Sequence, residues 1–285
     1  MNADAWGLLT LAVYLALAGG AIRHNMQRCP GEWQLWVLHV ISRFFTPFFF
    51  RQHIAADCPL PAQGHALVIS NHRSPIDPMM LYSGTQLKRG RNRIRRIEFL
   101  TAVEYCNLGG PLGFITHHMH AIPVARSGRD MGPVKEALRR LRDGKLVGVF
   151  PEGRINTGDG LLPANPGIAW LALHSRAPVY PAFIEGAPQL GDSMVAPFLS
   201  FSRVHLKMGA AIDLSSYYGR KINQQLLDEV TGVLMMRLAL LGGVEYNAPA
   251  EAAPAPATAD NTDGTSPAEP APQAAEAAIA RESRA

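Results

Sequence analysis

The chain has 285 residues, of which 47% are hydrophobic and 18% are charged, and its formal net charge is +4. This length can form one large domain or two small ones with an ample apolar core. Three widely spaced cysteines, Cys29, Cys58 and Cys106, argue against a disulfide framework and a zinc site and favour a reducing compartment.

The charge is unevenly distributed along the chain. Residues 246–285 hold six acids and two arginines, so this segment carries −4 and the preceding 245 residues carry +8. A basic body rich in apolar residues suits a partner that is both anionic and apolar, such as a membrane surface or a phosphorylated lipid. Basic charge also suits nucleic acid, but the sequence contains no nucleic-acid-binding motif, so we expect no nucleic-acid partner.

The first apolar segment covers residues 5–22, which carry no charge. A run of 18 such residues is at the lower limit for crossing a bilayer. The first four residues include no base, which disfavours a cleaved signal peptide. Arg23 and Arg28 follow the run and place the chain after it in the cytoplasm. The sequence therefore favours a membrane anchor or re-entrant helix here, with a cleaved signal or a buried core helix as alternatives.

A second apolar segment extends from Trp33 to about Phe50, is rich in aromatic residues, and contains Pro47. It predicts a kinked helix that lies at the bilayer interface or returns through one leaflet. A core helix of the soluble domain is the alternative. Residues 1–55 are thus expected to form a membrane-anchoring pair of hydrophobic helices.

From His65 onward, apolar runs of strand length alternate with helical stretches. This alternation predicts an α/β domain over residues 56–245, with a mixed, largely parallel sheet flanked by helices. The predicted strands are Ala66–Ile69, Ile97–Ala102, Ala121–Val124, Leu146–Phe150, Val179–Ile184 and Val204–Met208, and the predicted helices are Asp130–Arg142, Gly167–Ser175 and Lys221–Leu241.

Three further segments have distinctive compositions. The run Lys88–Arg96 holds six basic residues in nine and is either a solvated loop or a contact with anionic phospholipid. The histidines of His117–His120 lack an acid or cysteine partner at ligand-like spacing, so we expect no metal site. Residues 246–285 are mainly Ala, Pro, Thr, Asp and Glu and predict a disordered tail.

The stretch Val68–Pro78 combines a buried strand with a polar turn that carries His72 and Asp77. On one continuous helix, side chains five positions apart would lie about 140° apart and would not meet. Pro75 favours a new helix start, with Ser74 as its N-cap and Asp77 as the third helical residue. His72 then lies just outside the helix, where its ring can reach the carboxylate and act as a general base.

A second polar turn, Pro151–Arg154, follows the predicted strand Leu146–Phe150. It supplies the Glu152 carboxylate, the backbone amides around Gly153 and the Arg154 guanidinium. Arginine together with backbone N–H groups is a common way to hold phosphate. Taken alone, either turn is also compatible with a purely structural role.

These motifs resemble the four blocks of the glycerolipid acyltransferases, the lysophosphatidic acid acyltransferase family. The His-x4-Asp block is complete as residues 71–77, and the Phe-Pro-Glu-Gly block is present as residues 150–153. A strand ending at Arg126 matches the block between them, and Ala177–Ala182 matches the fourth. The four blocks occur in family order over roughly residues 65–186. One departure is that Arg154 comes one position earlier than the arginine of the usual Thr-Arg-Ser continuation.

The resemblance implies a role for each matched residue. His72 and Asp77 would be catalytic, whereas Asn71, Arg126 and Glu152–Arg154 would contact the substrate, with the arginines on the acceptor phosphate. The implied reaction moves a fatty acyl group from a thioester, acyl-CoA or acyl carrier protein, to the free hydroxyl of 1-acyl-sn-glycerol-3-phosphate.

The sequence contains no Gly-x-Ser-x-Gly elbow and no cysteine within a motif, so direct transfer without an acyl-enzyme is expected. No cofactor is expected, and the acyl donor is a substrate. The expected location is the cytoplasmic face of the inner membrane, in contact with its phospholipids. Two alternatives stay open: another lysophospholipid acceptor such as lysophosphatidylethanolamine, and a non-catalytic lipid-binding protein.

Overall fold

We describe the protein from a computed structural model, which describes residues 3–26, 32–55, 58–86, 95–125, 130–189 and 195–246. Residues 247–285 of the expected disordered tail and most of the basic run Lys88–Arg96 lie outside these residues. The described residues all belong to one compact unit that ends at Pro249.

From β2 onward, helices lie between most successive strands, as the sequence predicts. The helices are α1 (Ala3–Met26), α2 (Trp33–Phe50), α3 (Asp77–Gln86), α4 (Val103–Cys106), α5 (Gly110–His118), α6 (Gly132–Arg142), α7 (Gly167–Ser175) and α8 (Gln224–Gly242). The strands are β1 (His53–Ile54), β2 (Ala66–Ser70), β3 (Ile97–Ala102), β4 (Ile122–Val124), β5 (Leu146–Val149), β6 (Val179–Glu185) and β7 (His205–Met208).

The strands form one seven-stranded sheet in the order β1-β7-β6-β2-β5-β3-β4. Every pairing is parallel except β6 with β7, which is antiparallel. The predicted α/β class with a mixed, largely parallel sheet is therefore confirmed. Strand β2 lies at the centre, with β5 on one side and β6 on the other, and all five of its residues are buried.

The two faces of the sheet are covered by different helices. Leu67 and Ile69 of β2 pack with α6, α7 and α8 in one apolar cluster. Ala66 and Val68, which alternate with them, pack on the opposite face with residues of α2 and α3. Because successive strand side chains point to opposite faces, a strand buried on both sides is apolar throughout. This explains why β2 is a continuous apolar run.

The N-terminal helices expose much of their apolar surface. Described side chains of α1 such as Leu15 and Leu17 are 65% exposed, and on α2 Phe44 is 72% and Phe48 67% exposed. The other face of α2 packs on the domain through buried residues that include Leu38 and Phe50. Pro47 lies within α2, as the sequence predicts. Among the described residues, we find no helix whose length and apolar character would suffice to cross a membrane.

A cluster of charged residues connects α2, β3 and α5 at the amino end of β3. Arg96 contacts Glu32, donates to the His118 carbonyl over 2.8 Å, and places Nη1 3.1 Å from His120 Nδ1. A guanidinium can only donate, so His120 Nδ1 must accept and the imidazole is neutral. Burial, followed by the charges of Arg96 and Arg140, lowers the pKa of His120 to about 4. The Glu98 carboxylate lies 3.8 Å from this ring, but the cations outweigh it.

Three sequence expectations differ in detail from the structure. The short strand β1 and the helices α4 and α5 were not predicted. Helix α3 begins at Asp77 rather than at Pro75, because Ser74–Asp77 forms a tight turn closed by an Asp77 N–H bond to the Ser74 carbonyl of 3.2 Å. Only the acidic half of the expected capping box forms: Asp77 accepts from the Ser74 N–H, while Ser74 Oγ has no hydrogen bond among the described residues.

Candidate active site

The two polar turns meet at one edge of the sheet. Strands β2 and β5 are parallel neighbours whose register pairs Ile69 with Val149. Their carboxyl ends therefore lie side by side, and the turn carrying His72 lies beside the turn carrying Glu152. This edge is where open α/β sheets bind ligands, because the loops after parallel strands converge there.

His72 and Asp77 are in direct contact. His72 Nδ1 lies 2.9 Å from Asp77 Oδ2, and the same oxygen accepts the backbone N–H groups of Arg73 at 2.6 Å and Ser74 at 2.8 Å. Asp77 is fully buried, whereas the His72 side chain is 18% exposed. A carboxylate accepting at Nδ1 fixes the proton on that nitrogen, which leaves Nε2 as the basic atom. The pair is therefore arranged to accept a proton from a hydroxyl at Nε2.

An aromatic column supports the His72 ring from one face. The ring of Phe150 is stacked on the imidazole with centroids 4.1 Å apart and planes 18° apart. Phe99 of β3 in turn stacks on Phe150, with centroids 5.6 Å apart. Gly148 makes room for this column, since a Cβ there would lie 2.3 Å from the Phe99 ring. Asp77 thus fixes the imidazole at its edge and Phe150 fixes it at its face.

Glu152 ties the second turn to the first. It is only 8% exposed, and its Oε1 accepts the backbone N–H of His72 over 3.1 Å. Its Oε2 accepts from Asn156 Nδ2 at 2.7 Å and from the Leu162 N–H at 3.0 Å. The Asn156 N–H in turn donates to the His72 carbonyl over 2.7 Å. The peptide groups on both sides of His72 are therefore held by the loop after β5, and Glu152 is in a scaffold position.

Asn71 also occupies a scaffold position. The sequence resemblance predicts that it contacts substrate, but the structure buries it completely. Its Nδ2 donates to the Ile184 carbonyl at 2.8 Å and its Oδ1 accepts the Ile184 N–H at 2.8 Å. The side chain thus extends the pairing of β2 with β6 by one residue, and its amide is already engaged within the protein.

Arg154, one of the two predicted phosphate ligands, is exposed to solvent. It follows Gly153, whose φ of +67° turns the chain in a conformation that glycine adopts without strain. Both Glu152 and Asn156, on either side of Arg154, bond to the peptide groups of His72, so the guanidinium belongs to the loop that faces the histidine. Arg126 lies outside the described residues. Arg73 Nη1 donates to the Gly158 carbonyl of the same loop.

Comparison with known proteins relates the residues of this site to a described protein family. Residues 53–185 match the family model described as Acyltransferase, and this range contains both turns and strands β1 to β6. These residues therefore form an acyltransferase domain. The chain is 31% identical over 83 residues to the 1-acyl-sn-glycerol-3-phosphate acyltransferase of Bacillus subtilis (strain 168), covering 29% of this chain and 40% of that protein.

Two further relatives define how far the likeness extends. An uncharacterized protein of Mycobacterium leprae is 25% identical over 203 residues, which is 64% of this chain and 52% of that protein. The crystal structure of the LPA acyltransferase PlsC from Thermotoga maritima has a TM-score of 0.54 and 18% identity, covering 82% of this chain and 92% of that chain, and so shares the fold. The chain spans 40% of the length of the Bacillus subtilis relative and 52% of the length of the Mycobacterium leprae relative.

Two contributors to the site were not predicted from the sequence. The role of Phe150 could have been anticipated, since it directly follows β5 and the parallel register brings that position beside the residues after β2. Asn156 carried no such signal, because its contacts depend on how the loop after Arg154 folds back. The sequence analysis therefore identified the catalytic candidates and missed part of their support.

Proposed function

We propose that this chain transfers a fatty acyl group from a thioester, acyl-CoA or acyl carrier protein, to the free hydroxyl of 1-acyl-sn-glycerol-3-phosphate, which gives phosphatidic acid. The observation that carries the proposal is the 2.9 Å contact between His72 Nδ1 and the buried Asp77 carboxylate, with Nε2 left as the base at the edge of the sheet. The Bacillus subtilis relative named above supports the choice of acceptor.

The proposed reaction is a single displacement. The acceptor hydroxyl loses its proton to His72 Nε2 as its oxygen forms a bond to the thioester carbonyl carbon. The buried Asp77 carboxylate stabilises the imidazolium that forms. When the tetrahedral intermediate collapses, the carbon–sulfur bond breaks and the leaving thiolate takes the proton from His72. An ester and a free thiol result, and no covalent enzyme intermediate is formed.

The acceptor phosphate is assigned to the loop after β5. Arg154 supplies an exposed guanidinium beside the turn at Gly153, and Arg126 is the second proposed ligand. A guanidinium can bond two phosphate oxygens at once, which would orient the hydroxyl of the same molecule towards Nε2. Asn71 and Glu152 were also expected in the substrate site, and both are proposed to support that site through bonds within the protein. Asn71 donates to the Ile184 carbonyl, and Glu152 accepts the His72 N–H.

Helices α1 and α2 are proposed to hold the domain at the cytoplasmic face of the inner membrane. Apolar side chains on every side of α1 are exposed, as are the aromatic residues on the outer face of α2. A helix that is apolar all round is suited to a lipid environment. Phospholipids are therefore proposed as partners, and both the lysolipid and the product acyl chains would remain in that phase.

A different lysophospholipid acceptor is the second candidate. The position of Arg154 directly after Gly153 supports it, since this placement differs from the Thr-Arg-Ser continuation usual in the resembled family. A lipid-binding protein without activity is a weaker candidate, because binding alone gives no reason for a histidine oriented by a buried acid.

An acceptor panel tests these candidates. The purified chain is incubated with labelled acyl-CoA and, separately, with lysophosphatidic acid, lysophosphatidylethanolamine and lysophosphatidylglycerol in detergent micelles. We expect labelled phosphatidic acid as the main product and its loss in His72→Ala. A main product other than phosphatidic acid selects the second candidate. Full activity of a folded His72→Ala protein would refute the assigned base.

A further inference from the structure

A second exposed apolar surface lies between β6 and β7. A short 3₁₀ helix, Ala196–Leu199, directly follows Val195 and ends at Leu199. Val195 is 63% exposed and Leu199 is 65% exposed. Phe201, two residues further on, is 68% exposed. We refer to Val195, Leu199 and Phe201 as the β6–β7 patch. Large apolar side chains this exposed, all between residues 195 and 201, indicate an interaction surface.

The β6–β7 patch is fixed to the end of α2. The Phe201 ring is stacked on Phe49 with centroids 5.1 Å apart, and it meets Phe48 edge-on at 6.1 Å. Two backbone hydrogen bonds reinforce this contact. The Ser202 N–H donates to the Phe49 carbonyl over 3.1 Å, and the Val204 N–H donates to the Phe50 carbonyl over 2.9 Å. The patch and the exposed aromatic face of α2 therefore form one continuous surface.

The exposed charged residues of α2, of the position after it and of the described segment 195–204 are all positive. Arg43, Arg51 and Arg203 are exposed within or next to it. Neither α2 nor the described segment 195–204 contains an acidic residue. Apolar side chains rimmed by cations complement an anionic lipid surface, in which the rings enter the acyl boundary while the guanidinium groups remain among the phosphates.

Lipid is favoured over a protein partner by the adjoining helix. Leu11, Val13, Leu15 and Leu17 of α1 are 54%, 50%, 65% and 65% exposed. At about 100° per residue, Leu11 and Leu15 lie on one side of the helix, and Val13 and Leu17 lie on the opposite side. A protein groove covers one side of a helix, whereas lipid can surround it. A lipid partner therefore accounts for the exposed apolar side chains of α1, α2 and the β6–β7 patch together.

We propose that the β6–β7 patch enters the surface of an anionic bilayer beside the end of α2, as a second point of attachment within the folded domain. The proposal rests on the membrane association proposed above and adds a contact from outside the N-terminal helices. Strand β6 ends beside Asn71, the residue before His72, and the patch lies in the connection that follows. Two separate contacts with the bilayer, one through the N-terminal helices and one through the β6–β7 patch, would fix the orientation of the His72 edge of the sheet relative to the lipid.

Local fluorescence quenching tests the contact. The variant Phe201→Trp is compared with Leu240→Trp, a matched control whose site on α8 is 67% exposed and whose helix covers the other face of the sheet. Each full-length protein is mixed with phosphatidylglycerol–phosphatidylcholine vesicles whose acyl chains are brominated. The signal of the unsubstituted chain, with its four tryptophans, is subtracted.

We expect bromine to quench the fluorescence added by Phe201→Trp by about half or more, as for a ring about 5–10 Å into the headgroup boundary. The fluorescence added by Leu240→Trp should be quenched far less. Equal quenching of the two variants would overturn the proposal. Shielding of the Phe201→Trp fluorescence from aqueous iodide without vesicles, increasing with protein concentration, would also overturn it and indicate a second copy of the chain.

The arginine rim gives an independent measurement. Arg203→Gln should lower the vesicle partition coefficient about fivefold at low salt, and the loss should shrink as salt is added. Arg237→Gln, at an exposed position of α8, should change it little. An equal effect of both changes would contradict a local contact.

The same variants separate this proposal from the proposed reaction. Acyl transfer to a short-chain acceptor below its critical micelle concentration should be unchanged in Phe201→Trp and Arg203→Gln. If the fluorescence added by Phe201→Trp is quenched but the unsubstituted protein transfers no acyl group, the reaction is refuted and the lipid contact stands.

Discussion

Replacing Asp77 by asparagine separates the charge of the carboxylate from its hydrogen bonds. Asp77 Oδ2 accepts from two backbone N–H groups, those of Arg73 at 2.6 Å and Ser74 at 2.8 Å, in addition to His72 Nδ1. An asparagine must place its amide oxygen at this position, because its NH₂ group would face two donors. The imidazole therefore keeps an acceptor at Nδ1, and its tautomer is preserved.

Only the negative charge next to the imidazolium is lost. For full charges 2.9 Å apart, the attraction is about 6 kcal/mol at an effective dielectric constant of about 20. The amide dipole retains part of this attraction, and the proton is only partly transferred in the transition state. We therefore expect Asp77→Asn to raise the barrier by about 2–3 kcal/mol, which lowers kcat by about 30- to 150-fold.

The assay is acyl transfer from labelled acyl-CoA to lysophosphatidic acid in detergent micelles, with kcat and KM determined separately. The thermal unfolding midpoint shows whether the variant is folded. Asp77→Ala serves as the comparison, since it removes the acceptor of all three donors and should lower both stability and kcat further. Retention of more than about a third of kcat in Asp77→Asn would refute the role of the charge. A loss as large as that of a folded His72→Ala would refute the preserved tautomer.

Three other substitutions test the support of the site and the charged cluster. Phe150→Leu removes the ring stacked on His72 and should lower kcat about tenfold with little change in KM, whereas Phe150→Tyr should restore it. Glu152→Gln keeps only one of the two accepting oxygens, so its NH₂ group must face either the His72 N–H or the donors of Asn156 and Leu162. The unfolding free energy should therefore fall by about 1–3 kcal/mol in chemical denaturation. His120→Asn should reduce the loss of stability on acidification between about pH 6.5 and pH 4.

The His120 expectation follows from the direction of its shift. With a folded pKa of about 4, the unfolded chain binds the proton first as the pH falls below about 6.5, so stability is lost across this window. Because the side chain is 40% exposed, solvent screening limits the effect to at most about 1 kcal/mol. Asparagine also tolerates the backbone φ of 52° at this position. Identical pH profiles of the two proteins would contradict this assignment.

The outcomes of the other substitutions are equally decisive. If Phe150→Leu raises KM and leaves kcat unchanged, the ring contacts substrate instead of positioning His72. If Glu152→Gln leaves stability unchanged but abolishes the response of KM to the acceptor phosphate, Glu152 acts on the substrate. The activity of each variant is compared with its unfolding curve, so that a loss of activity is not confused with a loss of structure.

Much of the site follows from local sequence. The turn after β2 contains both His72 and Asp77, so their contact needs only the change of direction at Pro75. The strand pattern was equally informative, because a sheet covered on both faces makes its central strands apolar throughout, and β2 is such a strand. Element ends were less secure: α3 starts two residues after Pro75 because the tight turn at Ser74 delays it.

By itself, the sequence determined the α/β class, the chain order of strands β2 to β7, and the two turns that carry His72, Asp77 and Glu152. These features depend on residue periodicity and on contacts within a few positions of the chain. Only the tertiary structure decided what holds the histidine. The stacking of Phe150, the Glu152 bond to the His72 N–H and the engagement of Asn71 by Ile184 join residues 78 to 113 positions apart. Such contacts depend on which strands become neighbours, and strand order in a sheet is set by the packing of the whole domain.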